Sequence, residues 1–401
     1  MQALLLYAFL VLCAALLSAR AAHSAYSNAA LFLLAGVVAS ATGLVDFDPQ
    51  AQWLRDSAEV AVFAILFTDG MRLSLGDLRR CWKLPGRALL VGMPLTIALL
   101  ALFARMLFDL SWAECALVAG VLASTDPVFA SVLLERSAVP LSLRRLLNVE
   151  SGLNDGLALP VVLGVLGWLT LSDDTPLALA AEVAGGVALG FALPYAGLLL
   201  RRRVPRELPA PHRALFVIAI GLLLYAACDL TGANKYLAAF SGGVVLATCA
   251  GEDTHSFEPF GESVGELLKD AALLVFAVVV GWSGVLDTGW RELAYAAAAL
   301  LLARPVAILL VLLGSSLGWP ERLAAAWFGP KGFASVVYAV LVVQSGVNDG
   351  GELFHLSAVV IFVSMLAHSS TDVAVARWFR RSRRGDAAAT TDAQDAPPKR
   401  G

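Results

Sequence analysis

Apolar runs of membrane-spanning length follow one another from one end of this 401-residue sequence to the other. A helix needs about 20 apolar residues to cross the hydrocarbon core of a bilayer. Hydrophobic residues make up 59% of the chain and charged residues 15%, whereas a soluble domain carries about a quarter charged residues. Mean hydropathy is +0.75. A single buried core of this composition would leave no polar surface to face water. The chain therefore reads as an all-α polytopic membrane protein rather than a soluble domain with an anchor. About thirteen segments can be drawn: 3–19, 28–45, 57–71, 87–108, 112–134, 143–171, 177–200, 212–230, 232–250, 264–286, 291–317, 321–344 and 353–376.

The connecting loops orient these segments. Arg72, Arg79, Arg80, Lys83 and Arg87 lie between segments three and four, and Arg136, Arg144 and Arg145 between five and six. Arg201, Arg202, Arg203, Arg206 and Arg213 lie between seven and eight, and Arg377, Arg380, Arg381, Arg383 and Arg384 follow the last segment. The alternate loops carry Asp46, Asp48, Asp109, Asp173, Asp174, Asp349 and Glu352. Basic loops stay cytoplasmic, so the N-terminus is expected outside and the C-terminus inside, in a plasma or bacterial-type inner membrane. The stretch 251–270 should be cytoplasmic yet is acid-rich, and acidic residues weigh little in this rule. Ser18-Ala19-Arg20-Ala21 offers the small residues of a signal-peptide cleavage site, but no basic region precedes the apolar run, so 3–19 is kept as the first span. Residues 382–401 are polar and rich in Ala, Asp, Thr and Pro, as in a disordered tail. Cys13, Cys81, Cys115, Cys228 and Cys249 are scattered without a Cys-x-x-Cys, which suits small apolar helix residues better than a disulfide framework or a zinc site.

Two polar segments interrupt the apolar runs: Ser124-Thr125-Asp126-Pro127, and Glu150-Ser151-Gly152-Leu153-Asn154-Asp155-Gly156. Ionisable groups inside a membrane span are costly and mark function by default. On a helix, residues four apart share a face, which aligns Glu150 with Asn154 and Ser151 with Asp155. Ser151 and Asp155, with Thr125 or Asp126 from the neighbouring break, could enclose one monovalent cation with oxygens. Such ligands select hard ions such as Na⁺ over transition metals. Burial favours the neutral form of a carboxyl, so one carboxylate at Asp155 can hold either a proton or a cation, and mutual exclusion supplies exchange. A hydrogen-bonded structural Asp near a helix end is the plainer alternative.

An internal echo points the same way. Pro127-Val128-Phe129-Ala130-Ser131-Val132 in segment five is matched by Gly332-Phe333-Ala334-Ser335-Val336 in segment twelve, after Gly329-Pro330-Lys331. Both copies follow a Pro with a charged neighbour, Asp126 or Lys331, and the surrounding segments have opposite expected orientations. That is the pattern of an inverted repeat with two crossed discontinuous helices. Asp126 would suit half-helix N-termini and Lys331 half-helix C-termini. The alternative is that both prolines only kink continuous helices. Glu150 needs a partner if buried, and Arg304 in segment eleven is the best intramembrane candidate for a structural ion pair, unless it snorkels to an interface. Asp69, at the end of segment three, is a further ion-path carboxylate or a boundary residue. His355 and His368 lack a metal-spacing partner and suit packing or interface roles.

Thr125-Asp126-Pro127, Glu150-Ser151 leading to Asn154-Asp155-Gly156, Arg304, and Gly329-Pro330-Lys331-Gly332 together resemble the monovalent cation:proton antiporter family, in particular its sodium/proton exchanger branch. The resemblance covers most of the chain. It implies a thirteen-helix fold, a core domain at roughly 87–171 and 291–376, dimerisation helices at roughly 1–71 and 212–286, a homodimer, and elevator-like alternating access. By position it makes Asp155 the ion-binding carboxylate, with oxygens from Ser151 and Thr125. Glu150 and Arg304 become the structural pair, and Asp126 the residue at the crossing. Members with Asn-Asp at the 154–155 position are typically electroneutral. The chain departs from the pattern in having Lys331 where Arg is usual and Asp69 where Glu is common.

The resulting expectation is a secondary transporter exchanging Na⁺, or Li⁺ or K⁺, for H⁺. It has no cofactor, no nucleic-acid partner and no catalytic residue, and its partners are the two ions, the bilayer and a second copy. A cation-coupled symporter of an organic anion is the alternative. It would need a polar substrate cavity, and no further intramembrane polar cluster stands out. An intramembrane enzyme lacks a His-Glu-x-x-His or Gly-x-Ser-x-Gly signature, and a channel filter would call for glycine-rich repeats.

Overall fold

In the computed structural model, which describes residues 2–21, 28–45, 51–74, 76, 82–126, 139–170, 176–203, 209–250 and 258–394, all regular structure among the described residues is helical. In chain order the helices are α1 Gln2–Ala21, α2 Asn28–Ala41, α3 Gln52–Met71, α4 Lys83–Leu107, α5 Trp112–Val121, α6 Leu141–Thr170 and α7 Pro176–Arg202. They continue as α8 Ala210–Thr231, α9 Lys235–Cys249, α10 Glu258–Leu286, α11 Trp290–Val311, α12 Trp319–Trp327, α13 Phe333–Gln344 and α14 Gly350–Gln394. By length and composition, Lys83–Leu107, Leu141–Thr170, Ala180–Arg202, Pro211–Thr231, Trp290–Val311 and Gly350–Thr371 can each cross a membrane. Gln2–Leu16, Ala29–Ala41, Trp112–Val121, Lys235–Cys249 and Phe333–Gln344 are shorter apolar helices.

Each of the thirteen expected segments overlaps helix, with one instructive difference. Segment twelve is two helices: α12 stops at Trp327, Phe328 has extended backbone (φ −76°, ψ 95°), and α13 starts at Phe333. Gly329-Pro330-Lys331-Gly332 is the break. Within segment five, α5 ends at Val121 and Ser124–Asp126 are non-helical. The Pro127–Val132 half of the sequence echo lies outside the described residues. α14 continues through 382–394, the stretch that composition assigns to a disordered tail. That stretch contains Ala387-Ala388-Ala389, and alanine has the highest helix propensity.

A second echo, which hydropathy does not flag, is visible in α4 and α11. Each contains a π-helical turn, Ala88–Gly92 and Ala299–Ala303, followed by a proline at the second position of the next α segment, Pro94 and Pro305. A proline inside a helix forfeits one backbone bond and clashes with the preceding turn, and a wider π turn relieves that clash. The sequences Leu89-Leu90-Val91-Gly92-Met93-Pro94 and Leu300-Leu301-Leu302-Ala303-Arg304-Pro305 correspond one to one. They make Arg304 the counterpart of Met93.

α9 is a buried helix packed between α3 and α7. Its middle, Ala238 to Leu246, is buried except at Phe240. Small residues let its neighbours approach closely, as membrane helices require. A methyl group on Gly243 would strike the backbone of α3, and one on Gly190 of α7 would strike Ser241 and Ala238. Asn234 caps α9 by accepting from the Leu237 amide at 3.0 Å, and its side-chain amide donates to Glu182 at 2.9 Å. Inside α10, Gly281 adopts φ 67°, a left-handed conformation that glycine tolerates without cost.

Candidate ion-exchange site

The break after α5 and the break after α12 meet. The Asp126 amide donates to the Pro330 carbonyl at 2.9 Å, and Asp126 Oδ2 accepts from the Phe333 amide at 3.2 Å. Phe333 is the first residue of α13, so a carboxylate caps the positive end of that helix. Ser124 and Ser335 hydroxyls lie 2.7 Å apart. The backbones are so close that a Cβ on Gly332 would coincide with the Asp126 side chain; only glycine fits there.

α6 runs past this contact and presents its polar turns to it. Glu150, Ser151, Asn154 and Asp155 are all buried, as are Thr125 and Asp126. The Asn154 amide donates to the Ala123 carbonyl at 2.8 Å and to Thr125 Oγ1 at 3.2 Å, and Thr125 Oγ1 donates to Ser151 Oγ at 3.3 Å. The Thr125 backbone also interacts with the Asp155 carboxylate. Asp155 is fixed from the far side by Tyr338, whose hydroxyl donates to the Asp155 carbonyl at 2.8 Å. Asp155 Oδ1 and Asn154 Oδ1 have no hydrogen-bond partner among the described residues. Oxygen atoms from Asp155, Asn154, Ser151 and Thr125 are thus gathered in one buried place with lone pairs to spare, which suits a hard monovalent cation as substrate.

Glu150 is taken up by α11. Its Oε1 is 2.8 Å from Arg304 Nη1, and both side chains are under a tenth exposed. Arg304 Nη2 donates to the Phe328 carbonyl at 2.9 Å. The guanidinium thereby joins α6 and α11 to the C-terminal end of α12. A Cβ on Gly329 would run into it.

The expected partner of that helix end, Lys331, is placed differently. Its backbone amide donates to Ser364 Oγ at 2.9 Å, while its Nζ is buried with no hydrogen-bond partner among the described residues. The α12 C-terminal carbonyls are met by Arg304 and by His368, whose Nε2 lies 2.9 Å from the Trp327 carbonyl. His368 therefore has a place at the break as well as a packing role against Trp327. His355 stands apart, near Gly284 of α10. Asp69 is bound by Lys269 of α10, at 3.3 and 3.4 Å to its two carboxylate oxygens, and by Arg72 at 3.6 Å. Tyr338, Ser335, Ser364 and Lys269 are site residues that the sequence reading does not single out. Ser335 alone carries a signal, as the serine of the Phe-Ala-Ser-Val echo.

Among solved structures, the sodium proton antiporter MjNhaP1 from Methanocaldococcus jannaschii shares this fold. It matches with a TM-score of 0.78 and 19% identity, covering 94% of this chain and 99% of that one. The chain is 26% identical over 357 residues to the K(+)/H(+) antiporter NhaP2 of Shewanella sp. (strain ANA-3), covering 86% of this chain and 62% of that protein. It is 24% identical over 357 residues to Sodium/hydrogen exchanger 7 of Arabidopsis thaliana, covering 80% of this chain and 31% of that protein. The chain thus spans under two thirds of the length of NhaP2 and of exchanger 7. The family model for the transmembrane region of sodium/hydrogen exchangers matches residues 6–378. The chain is an integral, multi-pass membrane protein and belongs to the sodium/hydrogen exchanger family.

Proposed function

We propose that this protein exchanges a monovalent cation, Na⁺ or K⁺, for H⁺ across the membrane, with both ions competing for Asp155. The observation that carries this reading is the buried Asp155 carboxylate, whose Oδ1 lacks a partner among the described residues beside the hydroxyls of Thr125 and Ser151. Every other carboxylate at the site is engaged. Glu150 is paired with Arg304, Asp126 accepts from the Phe333 amide, and Asp69 is held by Lys269. Glu150 Oε2 also lacks a partner among the described residues, but its charge is offset by the guanidinium. Asp155 is the group that can cycle between proton and cation.

The same reading assigns the crossed breaks at 124–126 and 328–332 to the midplane of thirteen spans, with the N-terminus outside and the C-terminus inside. The core comprises 87–171 and 291–376. It moves against helices in 1–71 and 212–286, which also form a homodimer. The matched π turns of α4 and α11 support the inverted repeat. An organic-anion symporter gains no support, since the unpartnered groups gathered beside Asp155 are cation-binding oxygens. The test is cation-dependent dissipation of a pH gradient in proteoliposomes, scanned over Na⁺, Li⁺ and K⁺. Dissipation that requires one of these ions and is absent in Asp155→Asn is the expected result. Dissipation independent of added cation would reject exchange.

A further inference from the structure

We propose that Lys269 is a tethered counter-cation on the approach to Asp155, and that through Asp69 it sets the apparent affinity for the transported ion. The proposal rests on the reading of Asp155 as the exchange site. Lys269 lies in α10, inside the span expected at 264–286, where an ammonium is costly unless compensated. Its Nζ approaches both oxygens of Asp69, at 3.3 and 3.4 Å, and the two side chains are only 16% and 14% exposed. The second cation on Asp69, Arg72, is 42% exposed and reaches one oxygen at 3.6 Å. Lys269 is therefore the buried partner and Arg72 the solvent-side one.

The pair is also electrically linked to the exchange site. Asp155 experiences Asp126 and Asp69 as like charges and Lys269 as an opposite one. Lys269 in turn experiences Asp69, Asp126 and Asp155 as attractive and Arg72 as repulsive. The two turns also meet on one residue of α9: the Phe240 backbone carbonyl lies against Gly70, beside Asp69, and the Phe240 ring lies against Gly156, beside Asp155. In a low-dielectric setting one such charge changes the energy of a nearby cation appreciably. With Lys269 in place, the field of Asp69 on an incoming cation is cancelled. Without it, Asp69 would attract that cation.

A charge cycle tests this. Apparent KM for Na⁺ and K⁺ is measured by pH-gradient dissipation in proteoliposomes at constant ionic strength and at alkaline pH, where protons compete least, for wild type, Lys269→Gln, Lys269→Arg, Asp69→Asn and the Lys269→Gln/Asp69→Asn double variant. Thermal stability is followed in parallel. Lys269→Gln should lower KM by about threefold to tenfold, and Asp69→Asn should raise it by a similar factor. The double variant and Lys269→Arg should return close to wild type, because local charge is restored. An unchanged KM in Lys269→Gln, whatever its stability, would make the bridge purely structural and overturn the proposal. If the wild type shows no exchange, the reading of the function fails. The cycle is then read from the cation concentration that half-saturates thermal stabilisation by Na⁺ or K⁺. The same order of variants there upholds the role of Lys269, and no cation dependence there overturns it.

Discussion

Arg304 binds Glu150 across a 2.8 Å contact while its second amino group ties down the Phe328 carbonyl at the broken end of α12. Removing one member of a buried pair strands the other charge at a cost of about 3–5 kcal/mol. Glu150→Ala and Arg304→Ala should each show a loss of that size. Their double variant should lose clearly less than the sum, because neither charge remains. Gly329→Ala should resemble Arg304→Ala, since the added methyl takes the space of the guanidinium. Thermal unfolding in detergent reads all four. Fully additive losses would mean that the pair has no coupling.

Gly332 is the tightest point between the two breaks. Its missing Cβ leaves room for the Asp126 side chain, and Asp126 is held by hydrogen bonds to Pro330 and Phe333 and cannot step aside. Gly332→Ala should therefore destabilise by about 1–3 kcal/mol or more, as overpacking does. The open position Gly164, where a Cβ meets nothing within 4 Å, is the control and should tolerate Ala. Equal melting temperatures for Gly332→Ala and Gly164→Ala would contradict the contact.

Lys331 occupies a buried position without a hydrogen-bond partner for its ammonium among the described residues; Arg304 is a nearby like charge, and Glu150 and Asp155 are nearby opposite ones, so the cost of burial dominates. Lys331→Met keeps the shape of the stem and removes the charge, so stability should rise by on the order of 1 kcal/mol or stay level. A marked drop in melting temperature would show that the ammonium has a stabilising partner after all.

The helical, membrane-spanning architecture was legible because each span carries its own hydropathy signal, independent of the others. Glu150 and Arg304 could be matched from sequence because a buried charge requires a partner and few were available. The contact of Asp126 with the α13 N-terminus was foreshadowed by the doubled Pro-plus-charge pattern. Lys331 could not be placed the same way. Which cation meets the α12 C-terminus depends on whether α11 or the break itself brings its side chain there, and that is a tertiary fact. Lys269 escapes a sequence reading because a lysine near the start of a span ordinarily snorkels to the interface. Only the approach of α10 to the end of α3 gives it Asp69. Tyr338 has no sequence signal, since its hydroxyl binds a main-chain carbonyl.

Asp155→Asn should abolish exchange and leave a folded protein. The amide is nearly isosteric, and the contact from Tyr338 goes to the Asp155 backbone, which the substitution retains. The check is gradient dissipation beside a melting curve. Wild-type-like exchange by this variant would remove Asp155 from the mechanism. In the wild type, protons compete for the same oxygens, so the cation concentration for half-maximal rate should increase as pH falls.

Exchange should be electroneutral, one monovalent cation for one proton. Asn154 carries no titrating charge. Glu150 is neutralised by Arg304 and Asp69 by Lys269, and Asp126 is committed to the α13 N-terminus. One carboxylate then carries one proton in one direction and one cation in the other, and no net charge crosses per cycle. A membrane potential contributes ~2.3 kcal/mol per charge per 100 mV, but only to steps that move net charge, so it should not change the rate. Solid-supported-membrane electrophysiology beside a vesicle pH-gradient assay tests this directly. The expected record shows gradient dissipation with only a brief binding transient. A sustained current that scales with the pH signal would mean that a second group also cycles. Asp69 would be the first suspect, because its release from Lys269 would expose a second negative charge on the ion path. The Asp69→Asn variant should then abolish the current.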